Sequence, residues 1–156
     1  MQIQIIAVGQ RMPAWVDQAY QDYARRLPRQ QAVTLSCIAT AARKSGHSVD
    51  RLQQQEADRI REKIKPGSLT IALDEHGRQW TTREWAQQYA DWQQHQSQVN
   101  FIIGGPDGLA PDLLQQAGHR IALGKMTLPH GLVRVVLIEQ LYRAWSLLQG
   151  HPYHRE

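Results

Sequence analysis

Short runs of β-branched and aliphatic residues alternate along this chain with stretches whose apolar residues recur at helical spacing, and no other feature restricts the fold as much. Gln2 to Val8 reads as a strand. Gly9 and Met12-Pro13 then turn the chain into a helix that carries Trp15, Val16, Ala19, Tyr20 and Tyr23 up to Leu27-Pro28. Further strands fit Ala32 to Ala39, Leu69 to Leu73, Val99 to Ile103 and Arg120 to Leu123. Between them, Ser48 caps a helix bearing Leu52, Ile60 and Ile64 that Pro66-Gly67 ends. Thr81 and Glu84 have the form of a capping box ahead of Trp85, Tyr89 and Trp92. Pro111 opens a short helix, and Leu132 to Leu148 makes a long one that is apolar around much of its circumference. This order implies an α/β fold: a mainly parallel sheet with helices on both faces, which binds ligands beyond the C-terminal ends of its strands.

With 156 residues and no Pro/Gly/Ser-rich linker, residues 1–156 read as a single domain. The long helix is too apolar to face water, so it either lies at the centre of a layer or is covered by a second subunit; the shortness of the chain favours the subunit. Nowhere do about 18 apolar residues run together, and no charged leader precedes Met1 to Val8, so neither membrane spanning nor secretion is expected. A single cysteine, Cys37, excludes an internal disulfide and a multi-thiolate metal site and fits a reducing, cytoplasmic setting. Its alternation with Val33, Leu35 and Ala39 marks it as a core thiol. The net charge is +4, with Arg25, Arg26, Arg29, Arg43, Lys44, Arg59, Arg61, Lys63 and Lys65 crowded into the first half. Each cluster reads either as a surface for a polyanion or as a solvated helix face.

Two loops carry the chemistry. Val99 to Ile103 runs into Gly104-Gly105-Pro106-Asp107-Gly108, which has neither the G-x-G-x-x-G spacing nor the lysine of a phosphate loop. Adjacent glycines after a buried strand let a ligand approach bare backbone, and a tight turn alone would explain them equally well. Leu123-Gly124-Lys125-Met126-Thr127-Leu128-Pro129-His130 mixes small and apolar side chains with free backbone groups, a composition suited to a purine between aliphatic side chains. Lys125 reads as a phosphate or carboxylate contact or simply as an exposed loop lysine. No cluster of acids and histidines looks like a metal site.

Phe-Ile-Ile-Gly-Gly-Pro-Asp-Gly-Leu from Phe101, Thr-Leu-Pro-His-Gly-Leu-Val-Arg-Val from Thr127, Glu-Gln-Leu-Tyr-Arg-Ala-Trp from Glu139 and the closing His-Pro-Tyr-His-Arg-Glu together closely resemble a family of bacterial SPOUT-class methyltransferases. These enzymes modify N3 of a pseudouridine in large-subunit (23S) ribosomal RNA. The likeness extends over essentially the whole chain, including Met12-Pro13 and Tyr23-Ala24-Arg25-Arg26. It implies a C-terminal trefoil knot, a homodimer, and S-adenosylmethionine held by Leu73, Gly104, Gly105 and the loop of Leu123, Gly124, Lys125, Met126, Thr127 and Leu128. It also implies a ribosomal RNA substrate, expected as assembled ribosomes, and no metal.

Methyl transfer from a sulfonium to a base nitrogen is a direct displacement, so the protein has to align the partners, accept the N3 proton and exclude water. No covalent nucleophile is required, in keeping with the lack of a catalytic cysteine. His154 or Tyr153 is the candidate for proton removal and Arg155 for a phosphate or carbonyl contact; the alternative for this tail is a disordered terminus. His130 and Arg134 lie about one helical turn apart; they read either as facing one site or, for His130, as a satisfied structural histidine. Glu139 and Arg143 fit an intrahelical ion pair. Two other classes compete: an RNA-binding module without chemistry, and a nucleotide hydrolase, which the missing phosphate-loop lysine disfavours.

Overall fold

The structure, a computed structural model, describes residues 1–155. Its sheet has five parallel strands: β1 (Gln2–Val8), β2 (Val33–Ile38), β3 (Leu69–Gln79), β4 (Gln98–Ile103) and β5 (His119–Ala122), in the order β2-β1-β4-β3-β5. The helices α1 (Ala14–Ala24), α2 (Val49–Arg61), α3 (Thr82–His95), α4 (Pro111–Gln116) and α5 (His130–Leu148) fill the crossovers and the C-terminal end.

Both faces of the sheet are covered because its central strands are apolar on both sides. Ile5, Ile71 and Phe101 point towards α1, α3 and α5, where they meet Trp85, Tyr89, Trp92 and Leu137. Ile6, Ala72 and Ile102 point the other way, against Ala57 and Ile60 of α2 and Leu113 of α4. Trp85, Tyr89 and Trp92 are all buried, so the aromatic stripe is core packing. The caps are as the sequence implies: the Ser48 hydroxyl accepts from the Arg51 amide, and Thr81 and Glu84 complete a reciprocal capping box.

Four local expectations change. Strand β3 extends to Gln79 instead of ending at Leu73, and its pairing with β5 is interrupted between Leu73 and Arg78. The interruption releases polar residues from the ladder, which is why no apolar run announced the second half. Helix α1 ends at Ala24, well before Leu27-Pro28, and it buries Val16 and Tyr20 while Trp15 is 54% exposed. Cys37 is only half-buried, with its Sγ accepting from Arg134 Nη1 at 3.4 Å. Helix α5 buries Leu137, Ile138, Leu141, Tyr142 and Ala144 between the sheet, α1 and α3, so a central position within its own chain accounts for much of its apolar character. A stripe of Leu132, Val135 and Val136 on α5 stays half-exposed.

Candidate active site

Parallel strands bring all their C-terminal loops to one edge, and a cavity of about 540 Å³ opens there between the ends of β4, β3 and β5. That volume lies in the range of small-molecule sites. Aliphatic walls come from Leu73, Ile103, Ile121, Leu123, Leu128 and Val133. Bare backbone comes from Gly104, Gly105 and Gly124.

The glycine loop has to be glycine for steric reasons. A Cβ on Gly104 would stand 2.7 Å from the carbonyl carbon of Gly108 and 2.9 Å from the Leu109 nitrogen, so the loop folds tightly back on itself there. Gly108 closes it with φ of +74°, and its amide N–H donates a hydrogen bond to the Gly105 carbonyl at 3.0 Å. Outside the loop, Arg43 pairs with Asp107 at 2.6 Å and the Gln53 amide donates to the Asp107 carbonyl at 2.6 Å. Behind it stands Glu56, a buried carboxylate that accepts from the Ala41 amide at 2.9 Å. Gly104→Ala is expected to weaken ligand affinity about tenfold or more while leaving the far-UV spectrum unchanged, since overpacking against backbone costs about 1–3 kcal/mol and falls on the pocket wall. Calorimetric titration of the variant with its ligand checks this; undiminished affinity would mean the loop is not a binding surface.

The charge of the pocket selects the ligand class. Among the described residues its lining includes the carboxylates of Asp74, Glu75 and Asp107 but no lysine or arginine. Asp74 accepts from Arg120 at 2.9 Å, and Glu75 accepts from the Thr127 hydroxyl at 2.9 Å. Asp74 and Asp107 are paired with Arg120 and Arg43, so the lining offers a polyphosphate no cation of its own and suits a ligand with hydrogen-bonding edges and a positively charged group. His130 also lines it, with its pKa held below the usual value by burial and secondarily by Arg134, which favours the neutral ring.

The structure brings Leu73, Gly104, Gly105, Leu123, Gly124, Met126, Thr127 and Leu128 together around this one cavity. Lys125 is exposed and outside the lining. Asp74, Glu75 and His76 were missed, because a polar run after a short strand looks like an ordinary loop; the break in β3 is what lifts them onto the rim. Arg134 does not face the cavity with His130. It is 2% exposed and donates to the carbonyls of Val8 at 3.3 Å and Gly9 at 2.7 Å.

The tail residues lie elsewhere. The Tyr153 ring packs edge-on against Tyr142 at 4.7 Å and under the Arg143 guanidinium at 4.7 Å, and its hydroxyl donates to Glu139 at 3.1 Å. Burial, then the Glu139 charge, pushes the Tyr153 phenol well above its ordinary pKa. His154 Nδ1 sits 3.3 Å from Arg143 Nη1, and Arg155 is exposed. Glu139 and Arg143 make the expected intrahelical pair at 2.6 Å. None of the three tail residues lines the cavity of its own chain. Arg143 lies ten residues beyond Val133 along α5, or about 15 Å of helix.

No helix among the described residues is long and apolar enough to cross a membrane, and no group of three or more His, Cys, Asp or Glu among them is placed to hold a metal. Residues 1–154 match the family model described as "Predicted SPOUT methyltransferase". A protein of Nitrosococcus oceani named "Ribosomal RNA large subunit methyltransferase H" is 51% identical, with 99% of each chain covered. A protein of the same name from Acidovorax ebreus is 49% identical over the full length of both. The fold also resembles a solved structure, a probable methylase family protein from Haemophilus influenzae Rd KW20. The TM-score is 0.57 at 12% identity, and the match covers 99% of this chain and 70% of the other. A glycine-walled cavity at the strand ends and matches that run the length of the chain lead to one conclusion: this chain belongs to the SPOUT methyltransferase family and is a methyltransferase.

Proposed function

We propose that the chain transfers a methyl group from S-adenosylmethionine to N3 of a pseudouridine in 23S ribosomal RNA, acting as a cytoplasmic homodimer on assembled ribosomes. The observation that carries this is the full-length likeness to proteins named for methylation of large-subunit ribosomal RNA. The cavity supports the cofactor: aliphatic walls, exposed glycine backbone and three carboxylates, with no lining lysine or arginine, fit an adenosyl group and a cationic amino-acid arm better than ATP. The reading includes the C-terminal trefoil knot of the family, formed where the loops after β4 and β5 meet.

When bound, S-adenosylmethionine supplies an electrophilic methyl group on a sulfonium. Leu73, Leu123 and Leu128 would flank the adenine while backbone at Gly104, Gly105 and the Leu123 to Leu128 loop bonds its polar edges. Asp74 and Glu75 give the rim a negative field that favours a positively charged donor over its neutral product. Of the two candidate bases, His154 suits proton removal better, since Tyr153 holds its own proton against Glu139. Arg155 would contact a phosphate or base carbonyl. Because Tyr153 and His154 dock beside Arg143 and outside their own cavity, the tail serves the site of a second copy, which the half-exposed stripe on α5 would bring alongside.

Labelled S-adenosylmethionine incubated with the protein and ribosomes from cells lacking the modification is expected to label N3 of one pseudouridine, located by nuclease mapping and mass spectrometry. Cofactor binding without label would replace the proposed substrate, and absence of cofactor binding would favour an RNA-binding module.

A further inference from the structure

The C-terminal end of α1 meets residues 151–155 in a cluster of rings and guanidinium groups that lies outside the cavity. Past Ala24 the helix tightens into a 3₁₀-type turn: the Arg26 amide donates to the Tyr23 carbonyl at 3.1 Å and the Leu27 amide to the Ala24 carbonyl at 3.3 Å. Leu27 is buried and holds this end down. The two arginines between are thereby set apart. Arg25 extends into water with its side chain 72% exposed, whereas the Arg26 guanidinium lies over the Tyr23 ring, 4.7 Å from its centroid.

Asp22 fixes both, one carboxylate oxygen accepting from Arg25 at 2.7 Å and the other from Arg26 at 2.8 Å. So held, the Arg26 guanidinium stands 5.8 Å from the Tyr142 ring and 5.9 Å from the Tyr153 ring. Tyr153 therefore has two cations within cation–π range, Arg143 on α5 and Arg26 beyond α1, each paired with its own carboxylate. Burial, the Glu139 charge and a hydrogen bond with Tyr23 raise the Tyr153 pKa, so the ring stays a neutral π face for both. The backbone fastenings of the tail are local: the His151 amide donates to the Ser146 carbonyl at 2.9 Å, and the Tyr153 amide donates to the His151 ring at 3.2 Å. Through Arg26 the tail also bears on the first helix of the chain. An exposed ion pair such as Asp22–Arg26 adds little stability by itself. Fixing a guanidinium over the ring of Tyr153, however, sets where the next two residues are presented.

We infer that Arg26 is a positioning residue for methyl transfer: by holding the Tyr153 ring from the α1 side, it presents His154 and Arg155 to the pocket they serve. The inference rests on the reading that the tail takes part in the reaction, and it names a group outside α5 that sets the tail's position.

The test reads tail position and turnover in the full-length protein with Arg26→Ala, Arg26→Met and Arg26→Lys. Position is read from the fluorine spectrum of protein carrying 3-fluorotyrosine in place of Tyr153, and turnover from methyl transfer to ribosomes lacking the modification. Arg26→Ala is expected to move the fluorine resonance towards that of the denatured chain. It should lower kcat about fivefold, the size of one lost cation–π contact, while KM for ribosomes and affinity for S-adenosylmethionine change less than about twofold. Arg26→Met, which keeps length without charge, stays near the alanine level, and Arg26→Lys recovers most of the loss. An unmoved resonance in Arg26→Ala overturns the inference, as does a raised KM at unchanged kcat, which would make Arg26 a phosphate contact. Recovery by methionine as full as by lysine also overturns it, reducing Arg26 to packing. A displaced resonance with full turnover overturns it too, and the chain ended after Gly150 then locates the fault: if that chain is inactive the failure is confined to Arg26, and if it is fully active the reading of the tail itself falls.

Discussion

Ending the chain after Gly150 is expected to lower methyl transfer by about 10²–10⁴-fold, the range for losing a positioned proton acceptor, while affinity for S-adenosylmethionine changes less than about threefold. The asymmetry follows from where the tail sits. Tyr153 and His154 rest on Tyr142, Arg143 and Glu139, and neither they nor Arg155 lines the cavity of their own chain. Removing them strips an aromatic contact from α5 without touching Gly104, Leu123 or the other pocket walls, so the cofactor keeps its site. Single-turnover assays alongside calorimetric titration measure the two quantities separately. Mixing also distinguishes the copy that supplies the tail. Tail-less subunits combined with full-length subunits crippled by Gly104→Ala should regain activity if each tail serves the partner's pocket, because one intact pocket then faces one intact tail. No recovery on mixing would mean that the tail turns inward to its own cavity, and unchanged turnover of the truncated protein would remove it from the mechanism.

How much of this was legible in the sequence depends on how local each feature is. The capping box at Thr81 and Glu84, the Ser48 cap and the strand ahead of Gly104 are set by contacts a few residues long, and they stand where spacing put them. The second half of β3 was hidden because it pairs with β5 alone, past an irregularity, so its residues stay polar and no apolar run marks it. That one irregularity also kept Asp74 and Glu75 from being recognised as pocket residues. Periodicity placed Trp15 in the α1 stripe, but the register of a helix against its neighbours decides which residue at the stripe's margin is covered. The tail residues stand out in the sequence as a run of polar groups at a terminus. Their position depends on α5 and, in the proposed dimer, on a second chain, neither of which has a local signal. Threading of a chain through a loop is equally invisible to hydrophobic pattern, and the knot was implied by family resemblance alone.

Arg134 shows how a residue of catalytic type becomes structural, and replacing it carries the largest expected loss of stability. Helical spacing from His130 put it near the site, but α5 is buried at this point and the guanidinium has no water to turn to. Its terminal nitrogens find partners inside the protein: Nη2 donates to the carbonyls of Val8 and Gly9, where β1 ends, and Nη1 donates to Cys37 Sγ on β2, while Nε stays buried without one. One side chain thus ties the first turns of α5 to two strand ends, and with them the pocket residues His130 and Val133. Arg134→Ala leaves those buried carbonyls without this donor and opens a cavity, which together cost about 3–5 kcal/mol. For a chain of this size that corresponds to a fall in melting temperature of roughly 6–20 °C. Arg134→Met separates the two causes, since it fills most of the space and restores no hydrogen bond: lost donors predict that it melts almost as low as alanine, whereas lost packing predicts that it recovers most of the difference. Arg134→Lys should fall between wild type and alanine, with one ammonium able to reach the Gly9 carbonyl. The same loosening should weaken cofactor affinity in Arg134→Ala at temperatures where the protein is still folded, because the first turn of α5 forms one wall of the cavity. A wild-type melting temperature in Arg134→Ala would show that this anchor is dispensable and that the sheet holds α5 through its apolar face alone.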